Sequence, residues 1–266
     1  MARHRLFRRG PGTLYRRWES LRFLAGRDRR AVLAFLRGGP AGTVPLATRW
    51  QLLRQFVRIT NRVRAYHTQA EMLAVAAAIL QCRGQAGLTV VECGAGKGAS
   101  TAKLSLATKL AGGRLLVFDS FRGLRPVASS TRISRAAAWC FAPPPSPAGC
   151  ARCSAPSAFG APQVVEYRKG WFADTLPAFD EPVDVALLDV DLLASTRTCL
   201  VHLAPRLRPG GVIFTQDGHL RAVAGLLTDP AFWIDEVGVA PPRIDGAGRE
   251  KFLAIRLEPG PVGAGL

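Results

Sequence analysis

Acidic residues are scarce in this chain of 266 residues: 19 Asp and Glu stand against 36 Lys and Arg, a formal net charge of +17. Lysine is scarcer still, confined to Lys97, Lys103, Lys109, Lys169 and Lys251, so almost every positive charge is an arginine. With abundant Ala, Gly and Pro, that bias fits a GC-rich coding sequence and weakens any claim that each arginine grips a phosphate. Long apolar runs are missing. The longest, Met72 to Leu80, is far short of the roughly 20 residues that span a bilayer, so no membrane span is expected. The first apolar stretch is broken by arginines, which argues against a secretory signal; the expected location is the cytoplasm, with the six cysteines reduced. Cys150 and Cys153 form a C-x-x-C pair, and Cys140 precedes them. No Cys or His follows closely enough to complete a zinc site, and loop cysteines are the simpler reading. Disorder is excluded by composition, at 48% hydrophobic and 21% charged residues.

The charge is unevenly spread. Residues 1–66 hold sixteen arginines and two acids, Glu19 and Asp28, for +14; residues 67–266 hold 20 basic and 17 acidic residues, for +3. The body is nearly balanced, and the basic character belongs to an N-terminal segment. That segment suits solvated helix faces, nucleic acid or an anionic surface, or an Arg-rich transit peptide. Its pattern is helical, over 14–24, 31–36 and 46–66, and its apolar stripes also offer a surface for a homo-oligomer. A further helix over 68–82 opens with Thr68 as N-cap and Glu71 three residues on, a capping box.

From residue 88 the rhythm changes to strands alternating with helices. Strands are expected over 88–93, 114–119, 163–168, 183–189, 211–216, 232–239 and 252–257, the last two as an edge hairpin; helices over 100–110, 195–207 and 219–228. The fold class is therefore α/β: a doubly wound, mostly parallel seven-stranded sheet behind an N-terminal helical extension. Ligands of such sheets sit beyond the carboxyl ends of the strands. Residues 126–162 interrupt the rhythm with nine Pro or Gly and no acid, and read as a long loop or lid. The domains expected are a basic extension, 1–66, and a catalytic domain, 67–266.

Val90-Val91-Glu92-Cys93-Gly94-Ala95-Gly96-Lys97-Gly98 is strand, glycine loop, helix start. Glycines there permit a tight turn and close approach of backbone to a ligand. Glu92 just ahead of them disfavours a pyrophosphate and favours a cationic, amino-acid-bearing cofactor. Asp119 ends the next strand, where a carboxylate accepts hydrogen bonds from ribose hydroxyls. The glycine loop alone is also compatible with a dinucleotide; taken with the blocks that follow, these residues point to S-adenosylmethionine rather than NAD.

Four co-linear blocks carry a more specific signal: VFDSFRGL (117–124), KGWFADTLP (169–177), LLDVDLLAST (187–196) and LRPGGVIFTQDG (207–218). In that order they resemble the macrocin O-methyltransferase family of class I S-adenosylmethionine-dependent methyltransferases, over roughly residues 67–220. The resemblance implies that Glu92, Gly94, Ala95 and Gly96 lie against the methionine moiety, that Asp119 and Ser120 take the ribose, and that Gly170, Trp171 and Phe172 line the adenine. It implies Mg²⁺ at Asp189 and at the paired acids after Pro-Gly-Gly, which fall here on Gln216 and Asp217. Asp191 is the implied general base, with His219 an alternative, and His67 is placed where such enzymes open the site. Three positions depart from the pattern: Gln216 replaces an acid, Gly218 an aromatic and Leu193 a tyrosine.

The function so implied is O-methylation of a hydroxylated small molecule, such as a sugar of a glycosylated natural product. A divalent cation lowers the hydroxyl pKa and a carboxylate takes the proton. Two other readings compete. One is an RNA methyltransferase with a basic arm, which is disfavoured because the chain lacks an Asn-Pro-Pro-Tyr-type motif and any recognisable RNA module. The other is a non-catalytic cofactor-binding scaffold.

Overall fold

The computed structural model describes residues 26, 28–38, 44–63, 65–123 and 159–258. The expected helix at 14–24, most of the loop at 126–162, and Cys140, Cys150 and Cys153 lie outside them.

Among the described residues three helices precede the sheet: α1 (Arg29–Arg37), α2 (Leu46–Arg62) and α3 (Gln69–Gln81). The capping box that opens α3 forms in full. The Glu71 amide donates to Thr68 Oγ1 at 3.1 Å, and the Thr68 amide to Glu71 Oε2 at 2.7 Å. Then follow β1 (Thr89–Cys93), α4 (Ala99–Ala111), β2 (Arg114–Asp119), β3 (Val165–Lys169), the single turn α5 (Phe172–Thr175), β4 (Val183–Leu188), α6 (Leu193–Leu203), β5 (Leu207–Thr215), α7 (Arg221–Leu227) and β6 (Leu253–Ile255).

The strands form one sheet in the order β3-β2-β1-β4-β5-β6, parallel except for β6. β1 and β4 are buried along their whole length, as the near-continuous apolar runs TVVEC and VALL require of central strands covered on both faces. Alternate residues serve the two faces. Val90, Leu115, Val185, Leu187, Val212 and Phe214 pack against α1–α4. Val91, Leu116, Ala186, Leu188 and Ile213 pack against α6, α7 and Trp233.

The basic N-terminal helices therefore bury Val32, Phe35, Leu52, Leu53 and Phe56 in the same core as the sheet. One of their arginines works inside it: buried Arg49 donates from Nη1 to the carbonyl of Phe35.

Among the described residues the sheet has six strands, where seven were expected. Residues 232–239, which alternate like a strand, instead begin as a π-helical turn, Phe232–Val237. Phe232, Trp233 and Val237 fall on one buried face at helical spacing, and Trp233 Nε1 donates to the carbonyl of Leu227. Tertiary packing of these side chains beneath α6 and α7 overrides a local β preference. Among the described residues no helix is long and apolar enough to cross a membrane.

Candidate functional site

In the order β3-β2-β1-β4 the winding of the chain reverses between the parallel strands β1 and β4, so the loops leaving their carboxyl ends border one crevice. The loop after β1 makes the close approach possible. Gly94 has φ +90°, and its N–H donates to the Phe118 carbonyl at 3.0 Å. A Cβ on Gly94 would stand 2.1 Å from the Asp189 carbonyl oxygen. Gly96, at φ +53°, faces open space.

Asp119 closes the other side. Its Oδ2 accepts the Ala95 amide at 2.8 Å and its Oδ1 the Phe121 amide at 2.6 Å, so one carboxylate pins both the glycine loop and the turn after β2. Ser120 spends its hydroxyl on the same turn, donating to the Gly123 carbonyl and accepting from the Arg122 amide.

Between these loops, α5 and the start of α6 lies a cleft of about 200 Å³, open to solvent. It brings together Gly94, Gly96, Asp119, Ser120, Gly170, Trp171, Phe172, Asp189 and Asp191 from the sequence reading. Ala95 is buried behind the loop, and Gln216 and Asp217 lie buried beyond the lining. His219 is exposed at the entry to α7. His67 is not in the lining. It sits 2.9 Å from Nζ of the fully buried Lys103, which also reaches Gln69 Oε1 at 3.4 Å. Burial pushes Lys103 down to about 7 and holds His67 well below its usual range.

Sequence reasoning missed Phe121, Ser195 and Thr198 in the cleft wall. Ser195 belongs to the LLDVDLLAST block, whose role-bearing acids drew attention away from it. Lys251 was missed as well. It donates to the Tyr66 carbonyl at 2.8 Å, and its charge bears on Asp189, Asp191 and His67. No local signal marks it, because it lies outside all four sequence blocks.

Glu92 is completely buried beneath the glycine loop, and neither carboxylate oxygen has a hydrogen-bond partner. Burial pushes it up to about 7. The Ser100 and Thr101 hydroxyls lie near enough to oppose that shift, yet neither completes a hydrogen bond.

Three more acids meet at the ends of β4 and β5. Asp189, Asp191 and Asp217 each place a carboxylate oxygen within 4.8 Å of the others. Asp217 Oδ2 accepts the amides of Val190 at 3.1 Å and Asp191 at 3.0 Å. Burial, then the neighbouring carboxylates Asp217 and Asp191, push Asp189 up to about 7, against the opposing charge of Lys251. Asp191, the most open of the three, is raised by partial desolvation and held back by Lys251 and His219. Asp217 is raised by burial and by Asp191.

The departures from the family pattern acquire physical meaning here. A Cβ on Gly218 would meet Leu253 Cδ1 at 2.3 Å and the Glu250 carbonyl at 2.8 Å, because the chain entering β6 packs directly upon it. Gly218 N–H donates to the Lys251 carbonyl in the same contact. No aromatic fits. The Gln216 side chain is buried, and neither of its amide atoms has a partner.

Residues 91–218, spanning β1 to the end of β5, match the family described as methyltransferase domain. A stretch of 87 residues is 38% identical to the 8-demethyl-8-(2,3-dimethoxy-alpha-L-rhamnosyl)-tetracenomycin-C 4'-O-methyltransferase of Streptomyces olivaceus; the match spans 32% of this chain and 32% of that relative. The methyltransferase fold is seen again in two solved structures. The calicheamicin methyltransferase CalS11 aligns over 93% of both chains with TM-score 0.55 at 16% identity. The O-methyltransferase NovP aligns over 70% of this chain and 78% of its own, also with TM-score 0.55, at 18% identity.

Proposed function

We propose that this methyltransferase domain transfers a methyl group from S-adenosylmethionine to a hydroxyl of a small molecule, a sugar of a glycosylated natural product. The observation that carries the reading is that one cleft joins the glycine loop and Asp119 on one side to Asp189 and Asp191 on the other. The similar Streptomyces olivaceus protein is named for methylation of a rhamnosyl compound, which supports the sugar acceptor.

Each residue has a chemical part. A carboxylate offers about four acceptor sites, and Asp119 spends two on backbone amides, leaving two for the ribose hydroxyls. The orphaned Glu92 carboxylate suits a cationic amino-acid end, with Gly94, Ala95 and Gly96 presenting backbone to it. Ser120 and Gly170 shape the pocket beyond, and Trp171 and Phe172 offer aromatic faces to the adenine. The oxygen-rich cluster at the ends of β4 and β5 fits Mg²⁺, held by Asp189 and Asp217 with Gln216 or Asp191 as a further ligand. When bound, the cofactor supplies an electrophilic methyl group and the cation lowers the pKa of the acceptor hydroxyl. Asp191 or His219 then takes the hydroxyl proton. The reading places the enzyme in the cytoplasm, with Cys82, Cys93 and Cys199 as free thiols. Exposed Leu46 and Trp50 on α2 offer a surface for self-association.

Calorimetry with S-adenosylmethionine, followed by S-adenosylhomocysteine release with rhamnosylated acceptors, tests this. Saturable binding and acceptor-dependent turnover that falls in Asp189→Ala are expected. Absence of cofactor binding overturns the reading. Salt-sensitive turnover on RNA would replace it with an RNA methyltransferase, and binding without turnover on any acceptor would replace it with a scaffold.

A further inference from the structure

The amide at position 216 leaves the cation site one charge short of the family pattern, and the fold supplies a replacement. The chain leaving β4 turns back on itself at Asp191, which has φ +60°, a conformation Asp tolerates better than most residues. Asp217 Oδ2 clamps that turn through the amides of Val190 and Asp191. The result is a third carboxylate within 4.8 Å of Asp189 and Asp217. Among the described residues, neither Asp189 nor Asp191 forms a side-chain hydrogen bond or an ion pair of its own, so their carboxylates are free to bind a ligand.

Gln216 points to the same conclusion from another direction. Its N–H donates to the Leu188 carbonyl, so it ends β5 beside Asp189 at the end of β4. It is 1% exposed, with both amide atoms unpartnered. Bound to a cation through its carbonyl, it would still leave a buried NH₂ group without an acceptor, a costly arrangement. Set beside an oxygen ligand of the cation, it satisfies both atoms: the NH₂ donates and the carbonyl accepts.

We propose that the divalent cation is held by Asp189, Asp191 and Asp217, and that Gln216 hydrogen-bonds an oxygen ligand of that cation, a water or the acceptor hydroxyl, without binding the metal itself. This rests on the methyltransferase reading above and changes one role within it.

The test reads metal binding directly. Mn²⁺ is titrated into the full chain and followed by electron paramagnetic resonance and calorimetry, with S-adenosylmethionine binding measured on the same samples. Asp191→Asn is the informative variant, because Asn also tolerates φ +60° and leaves the turn in place. Asp189→Asn and Asp191→Asn are each expected to weaken Mn²⁺ by about a hundredfold, and Gln216→Ala, which removes only an outer-shell hydrogen bond, by about tenfold. Wild-type Mn²⁺ affinity in Asp191→Asn overturns the proposal. So does a loss in Gln216→Ala as large as that in Asp189→Asn, or the absence of Mn²⁺ binding in the wild type. Failure of S-adenosylmethionine to bind would instead overturn the methyltransferase reading, so the two failures are distinguishable.

Discussion

The carbonyl oxygen of Asp189 occupies the space where a side chain on Gly94 would begin, 2.1 Å from the position of its Cβ. The turn after β1 and the end of β4 can meet only because residue 94 is glycine, at φ +90°. Gly94→Ala is expected to cost about 3 kcal/mol or more, combining a backbone clash with left-handed strain. Gly96→Ala meets no atom within 4 Å and carries only the strain of φ +53°, about 1–2 kcal/mol. Urea denaturation of the two variants checks the contrast; equal losses would show that the Gly94 contact is not the constraint.

Asp119 joins the glycine loop to the turn after β2, and on the proposed reading it also takes the ribose. Asp119→Ala should weaken S-adenosylmethionine by about tenfold or more, since it removes charge-assisted hydrogen bonds and frees the Ala95 and Phe121 amides. Calorimetry measures this, and unchanged affinity would remove Asp119 from the site.

Gly218 stands where the family pattern has an aromatic, and restoring a ring should harm the protein. The Leu253 side chain and the Glu250 carbonyl already fill that space. Gly218→Tyr is expected to lower stability by about 2–3 kcal/mol, read as a shift in denaturation midpoint. A stable and more active variant would contradict the packing described above.

Two buried acids set a pH dependence. Glu92 is raised from 4.5 to about 7 and Asp189 from 3.8 to about 7, so between these values the native state holds protons that the unfolded chain has released. Stability of the cofactor-free, metal-free protein should therefore fall as pH rises from about 4 to 7, by at most about 1.4 kcal/mol per pH unit for each proton. Glu92→Gln should flatten that slope, and Mn²⁺ should raise the melting temperature more at pH 8 than at pH 5.5. Thermal denaturation across this range tests both.

Lys103 acts in the opposite sense. Its ammonium is lowered from 10.5 to about 7 by burial, so the unfolded chain binds the extra proton between those values. Wild-type stability should gain from this group as pH rises from 7 towards 10, and Lys103→Met should lose that rise. An identical pH slope in the two proteins would show that the lysine does not titrate in the native state.

Local chemistry made much of this legible before any fold was known. The Thr68–Glu71 box, the strand–glycine–helix passage at 89–99 and the acids at 119 and 189 are set by neighbours a few residues away, where spacing alone carries the meaning. The segment 232–239 misled for the same reason. Its alternation is local, whereas its helical state depends on Phe232, Trp233 and Val237 finding cover beneath α6 and α7. Lys251 was invisible as a site residue because the pairing of β6 with β5 brings it to the acids from far along the chain.

The amino-acid sequence by itself determined an α/β sheet, the glycine loop and the residue types that the chemistry requires, because periodicity, glycine and acid at strand ends are local properties. Only the tertiary structure decided the burial of Glu92, the loss of space at Gly218, the unpartnered amide of Gln216 and the meeting of Asp191 with Asp189 and Asp217. Each depends on the distance between segments remote in the chain, and such distances are set by packing rather than by spacing. The basic N-terminal segment shows the same division. Its +14 is read from composition, and the burial of Arg49 in a shared core appears only once the helices close upon the sheet.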